Sequence, residues 1–115
     1  MMPVEQLEPT PKMAAVIKVF LEDPELPRYG FELMRRTGQP SGTLYPILAK
    51  LEQAGWLIGG KEDIDPHAEG RPPRRNYLIV GAAIAVARTQ LAALSEQYRP
   101  PVPILPRLAP DGGTR

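Results

Sequence analysis

The chain has 115 residues, 43% of them hydrophobic, and a formal net charge of +1. That length suits one domain and is too short for two independent cores, and the composition excludes a disordered chain. The absence of cysteine excludes a disulfide framework, a thiolate metal site and a cysteine nucleophile.

The near-neutral charge is no argument for nucleic acid, so any such argument rests on where the charges sit. The start, Met1-Met2-Pro3-Val4-Glu5, is acidic where a secretory signal carries positive charge. The longest apolar stretch, Leu78 to Ala87, is far short of the roughly 20 residues a membrane-spanning helix needs. These features predict a soluble, cytoplasmic protein with no membrane partner. The prolines are crowded between Pro100 and Pro110. Extended ends are therefore expected around a folded unit running from about Pro11 to Tyr98.

Residues 1–10 read as a loose arm. Thr10-Pro11 is a helix start, because threonine caps free amides and proline is tolerated at the first helical position. From Lys12 to Glu22, Met13, Val16, Ile17, Phe20 and Leu21 recur at spacings of three and four, which predicts an amphipathic helix ending before Asp23-Pro24. Arg28 to Thr37 reads as a second helix, with Tyr29 and Leu33 turned inward together with Met34 or Phe31, and Gly38 as its stop. A third helix is predicted from Ser41 to Ala54, with Leu44, Ile47, Leu48 and Leu51 as its buried stripe and Gly55 as its end. The tight joint from Gly38 to Ser41 is a helix-turn-helix arrangement.

Trp56 to Lys61 and Arg75 to Val80 are predicted strands, joined by a polar loop from Lys61 to Arg75. Two strands and a basic loop after a helix-turn-helix make a wing. The last helix is expected from Ala82 to Tyr98. Its Ile84, Ala87, Leu91, Leu94 and Tyr98 follow the 3-4 spacing of a coiled-coil seam and are the candidate dimerisation residues. The expected fold is mainly α with a small β-hairpin, an α+β winged helix-turn-helix with a C-terminal dimerisation helix. Its organisation is an arm over 1–10, a DNA-binding domain over 11–80, a dimerisation helix over 81–99 and a Pro-rich tail over 100–115.

The third helix is the candidate recognition helix, its first turn entering the major groove. Gln39, Ser41, Gly42, Thr43 and Tyr45 are the candidate groups there, with Lys50 further along to meet the backbone; a plain cap at Ser41 or Thr43 is the competing reading. In the loop from Glu69 to Arg75, Arg71, Arg74 and Arg75 are spaced to meet phosphate or a narrow minor groove, and an ordinary solvated hairpin loop is the alternative. Glu62, Asp63 and Asp65 make the outgoing arm acidic. Trp56 reads as an anchor of the first wing strand. His67 has no metal-binding partner set, and no cofactor is called for. Enzyme chemistry has no support, for there is no phosphate loop, no G-x-S-x-G elbow, and no evident partner linking His67 to Ser41 or Ser95.

Three runs of this sequence, Tyr29-Gly30-Phe31-Glu32-Leu33, Ser41-Gly42-Thr43-Leu44-Tyr45-Pro46-Ile47-Leu48 and Leu51-Glu52-Gln53-Ala54-Gly55-Trp56-Leu57, are followed by Gly70-Arg71-Pro72 and Tyr77. In order and spacing they closely resemble the PadR family of bacterial regulators over about residues 12–80. The resemblance implies a winged-helix repressor that binds an inverted-repeat operator in double-stranded DNA as a homodimer. It further implies that Thr43 and Tyr45 lie on the DNA face and that Arg71 is the wing arginine. It also places Tyr29 near the DNA backbone, with Gly30 permitting close approach. The sequence departs from the family in having Pro40-Ser41 where Ser-Pro is common. It also has Leu78-Ile79-Val80-Gly81-Ala82 in place of the usual Leu-Thr-Glu-Ala-Gly, and a short C-terminal part. By family analogy, Val86, Ala92, Leu94 and Trp56 border an inter-subunit pocket for a small apolar effector. The competing reading is a protein-interaction winged helix, motivated by the near-neutral charge, the acidic wing arm and the tail from Pro100 to Pro106.

Overall fold

The computed structural model describes residues 4–97. The element order is α1 (Pro11–Glu22), β1 (Arg28–Tyr29), α2 (Gly30–Thr37), α3 (Ser41–Gln53), β2 (Leu57–Lys61), α4 (Pro66–Glu69), β3 (Arg75–Ile79) and α5 (Gly81–Gln97). The fold is mainly helical, with a three-stranded antiparallel sheet in the order β1-β3-β2. Tyr98 and the tail over 100–115 lie outside the described residues.

Helix α1 begins where its sequence requires. The Thr10 hydroxyl accepts the Met13 N–H at 3.2 Å, and Pro11 occupies the first helical position. Its apolar stripe is closed from solvent, Val16 and Phe20 being almost completely buried. Leu33 from α2 and Leu44, Leu48 and Leu51 from α3 pack into the same core. Full burial of each such side chain is worth about 1.5–3 kcal/mol, which makes this cluster the principal favourable term in the fold.

The second helix starts later than the spacing predicts. Arg28 and Tyr29 are extended and pair with Tyr77 and Asn76 of β3, so α2 begins at Gly30. Sheet pairing at a third strand overrides the local helical pattern here. One consequence is that Arg28 turns inward. Its guanidinium donates to the Val19 carbonyl at 3.0 Å and to Glu32 at 2.8 Å. The Glu32 carboxylate in turn accepts the Tyr29 N–H at 3.5 Å. Phe31 is not inward, being 72% exposed. Gly38 closes α2 in the left-handed conformation at φ 70°.

The arm is not loose over its described part. The Glu5 N–H donates to the Ala54 carbonyl at 2.8 Å, and the Glu5 carbonyl accepts the Trp56 indole N–H at 2.6 Å. Val4 and Leu7 pack against the core. A buried indole N–H needs an acceptor, and the arm supplies it. Trp56 is therefore an anchor, as its position implied, and it is sealed inside the chain.

In the wing, β2 and β3 pair from Leu57↔Ile79 to Lys61↔Arg75. The polar connection holds a short helix, α4, that the sequence reading treats as loop. Asp65 caps it by accepting the His67 N–H at 3.0 Å, and Gly70 ends it at φ 69°. Helix α5 packs back on α1, and its Ala83 and Ala87 are fully buried in the core. Ala87 therefore belongs to the core of its own chain and is not available as a dimerisation residue. Ile84 and Leu91 are half-buried against that same core, and Leu94 is half-buried further along the helix.

Candidate nucleic-acid interface

Helix α3 presents an open N-terminus. Pro40 occupies the cap position and offers no side-chain hydrogen bond. Its carbonyl accepts the Thr43 and Leu44 N–H groups at 3.0 and 2.9 Å. Neither Ser41 nor Thr43 caps the helix, which leaves both hydroxyls for other partners. Ser41, Gly42 and Lys50 are exposed, Thr43 is half-buried and Tyr45 is 43% exposed. Pro46 is the sixth residue of the helix and has no N–H to give the exposed Gly42 carbonyl. Uncapped amides and the positive end of the helix dipole suit an anion.

Gln39 does not share this surface. It is 8% exposed, and its amide nitrogen donates to the Lys12 carbonyl at 2.9 Å. Its place is structural, since it pins the joint between α2 and α3 onto α1. The hydrogen-bonding group that made it a candidate base contact is used inside the protein instead.

Tyr45 is set by the start of α2. A Cβ on Gly30 would overlap the Tyr45 hydroxyl. The close approach that glycine permits here is that of a tyrosine from α3 within the same chain. Tyr29, next to Gly30, is half-buried and belongs to β1.

The wing arginines differ in kind. Arg71 is held by Glu62 in a two-pronged ion pair at 2.7 and 3.1 Å, and the Arg74 backbone N–H donates to the same carboxylate at 3.2 Å. These bonds, the Arg71 contact foremost, hold the Glu62 carboxyl down at about 2. Arg75 donates to Glu52 of α3 at 3.2 Å and to the Tyr77 hydroxyl at 3.0 Å, and it stacks over the Tyr77 ring at 5.2 Å. Gly59 leaves room for this pair, since a Cβ there would stand 2.6 Å from the Glu52 carboxylate. Arg74 alone of the three is exposed with its guanidinium unpaired among the described residues.

Two features of this face leave no mark in the sequence. Glu62 was one of several acidic loop residues, and nothing in its neighbours marks it as the partner of Arg71 nine positions away. Phe31 stands in the sequence only as an alternative to Met34 for the inward face of α2, and nothing there sets Arg35 beside it. In the structure the Arg35 guanidinium lies 5.7 Å from the exposed Phe31 ring.

Among the described residues no cluster of three or more acidic or histidine side chains is arranged to hold a metal ion, and no helix is long and apolar enough to cross a membrane. No family model and no curated protein matches the sequence.

The fold does match solved structures. The PcaV transcriptional regulator from Streptomyces coelicolor aligns with a TM-score of 0.55 at 20% identity, over 76% of this chain and 58% of that one. The same regulator in complex with its natural ligand aligns with a TM-score of 0.59 at 18% identity, over 88% of this chain and 68% of that one. A Streptococcus transcriptional regulator aligns with a TM-score of 0.52 at 24% identity, over 74% and 85%. The chain thus spans little more than half of the first of these proteins, and at such identities the likeness is one of fold. The architecture is that of winged helix-turn-helix transcriptional regulators.

Proposed function

We propose that the protein is a sequence-specific DNA-binding transcriptional regulator of the PadR type, acting as a homodimeric repressor on an inverted-repeat operator. The observation that carries this reading is the surface of α3. An uncapped helix N-terminus, two free hydroxyls and the partly exposed Tyr45 stand together on the helix that follows a tight turn. In this reading Ser41, Gly42, Thr43 and Tyr45 meet bases and phosphates in the major groove, with Lys50 on the backbone. Arg74 is the wing residue whose charge is free for the DNA. Arg71 and Arg75 shape the wing, and Tyr29 holds the strand that carries α2.

A dimer places two such helices in successive major grooves about one turn apart. Leu91 and Leu94, half-buried on the outer part of α5, are the residues of this chain that a second copy would cover. A small apolar effector acting at that interface would shift the dimer between DNA-competent and incompetent geometries. The ligand-bound state of PcaV supports looking for one.

A protein-interaction role is the second reading. It is favoured by one observation, that Arg28, Arg36, Arg71 and Arg75 are each consumed by a glutamate and so offer a polyanion little.

The test is selection of genomic fragments by the purified protein, then footprinting of the enriched sequence at two salt concentrations. A short inverted repeat protected in both halves is the expected result. No enrichment at low salt by folded protein would discard DNA as the ligand and favour the second reading. Leu91→Asp is expected to yield monomer in sedimentation, and a persistent dimer would put the interface elsewhere.

A further inference from the structure

We infer that the groove between the start of α2 and the wing seats the DNA phosphodiester backbone, with Arg35 and Arg74 as its two anion-binding side chains. This rests on the DNA-binding reading above and extends it from Arg74 to Arg35 and to the groove between them.

The groove has a volume of about 620 Å³ and is lined by Tyr29, Phe31, Glu32, Arg35 and Arg74. Its charge is decided by which ions are already paired. Arg28, Arg36, Arg71 and Arg75 all hold carboxylates at 2.6–3.2 Å. Arg35 and Arg74 are exposed and hold none among the described residues. The one acidic residue in the groove, Glu32, is neutralised by Arg28 at 2.8 Å. The groove therefore keeps two uncompensated positive charges, one from helix α2 and one from the wing.

Both guanidinium groups are placed without being consumed. Arg35 lies over the Phe31 ring, 5.7 Å from its centre, and its guanidinium makes no ion pair among the described residues, so its N–H groups remain for phosphate oxygens. The Arg74 backbone is tied to Glu62, which fixes where its side chain begins.

The position of the groove names its occupant. Gly30 lies between Tyr29 and Phe31, and Tyr45 of the recognition helix packs onto Gly30. One end of the groove therefore adjoins α3, and the other adjoins the wing through Arg74. A duplex read by α3 and flanked by the wing carries its sugar-phosphate strand between them. Cations on two walls of an open groove suit a continuous anionic strand.

The experiment is a salt titration of binding to a mixed-sequence DNA duplex of about 30 base pairs, since each phosphate contact contributes about 0.9 to the slope of log K against log salt. Arg35→Ala and Arg74→Ala are each expected to lower that slope by about 0.9, and the double variant by about 1.8. Arg35→Lys and Arg74→Lys retain the slope, because the charge remains. Arg36→Ala, whose guanidinium is bound to Glu22 at 2.6 Å, serves as the control and leaves the slope unchanged. Circular dichroism checks that each variant is folded. A wild-type slope in both alanine variants overturns the groove assignment while leaving DNA binding intact. Failure of the wild type to bind any duplex at low salt overturns both.

Discussion

Tyr45 of α3 lies against Gly30 of α2 so closely that a Cβ at residue 30 would meet its hydroxyl and stand 2.8 Å from its Cζ. Gly30 is the first residue of its helix, and its φ is not in the left-handed region. Helix propensity alone would therefore favour alanine there. The aromatic ring is what forbids it, and the contact fixes where a recognition-helix side chain stands.

Gly30→Ala is accordingly expected to displace the partly exposed Tyr45 rather than unfold the protein. Stability should change by about 1 kcal/mol or less, since a surface ring can swing aside. Operator affinity should fall about tenfold, equivalent to about 1.4 kcal/mol. In a Tyr45→Ala background the same glycine change should have no further effect on affinity, which a double-mutant cycle would read directly. Additive losses would mean that Gly30 acts on something other than Tyr45.

The wing should have an acid limit set by Glu62. Its carboxyl is held at about 2, below the ordinary value of 4.5, by the Arg71 ion pair and the Arg74 N–H. A lowered carboxyl stabilises the folded wing above pH 4.5, and that contribution disappears as pH falls from 4.5 through about 2. The protection of the Glu62 amide, which bonds the Arg74 carbonyl at 2.8 Å, against hydrogen exchange should fall over that window once the intrinsic pH dependence is divided out. Glu62→Gln should exchange faster at neutral pH and lose the acid-dependent step. An identical pH profile in the variant would show that Glu62 does not hold the wing.

Gln39→Ala tests the structural role of a residue whose sequence position pointed to DNA. Loss of its bond to the Lys12 carbonyl should lower stability by about 1–2 kcal/mol in denaturant unfolding. The salt dependence of DNA binding should be unchanged. A reduced slope with unaltered stability would return Gln39 to the DNA face.

Removal of residues 1–8 should strip the acceptor from the Trp56 indole. The cost of an orphaned buried donor is about 1–3 kcal/mol. Tryptophan emission should shift to the red, because the only tryptophan of the chain is then open to water. An unshifted spectrum would mean that water or another carbonyl replaces Glu5 without loss.

The spacing of apolar residues was sufficient for α1 and α3, because each buries one face and that face has a fixed period, and β-propensity was sufficient for the two wing strands. Thr10-Pro11 and Gly38 likewise announce a helix start and a helix stop through their own backbone preferences. The helix-turn-helix and its wing were therefore legible as local patterns. So was Trp56 as an anchor, although not the arm that anchors it.

What only the tertiary structure decided are relationships between residues distant in sequence. The pairing of Arg28-Tyr29 with β3 turns a helical pattern into a strand. The bond from Gln39 to Lys12 withdraws an amide from the surface, and Ala87 is buried in the core of its own chain. Charge is the sharpest case. The six arginines around α2 and the wing look alike in sequence, yet Glu22, Glu32, Glu52 and Glu62 neutralise four of them and leave Arg35 and Arg74 unpaired among the described residues. Local sequence fixes which side chains carry charge. Only the folded chain, by bringing carboxylates within about 3 Å of some guanidinium groups and not of others, decides which charges remain for a partner.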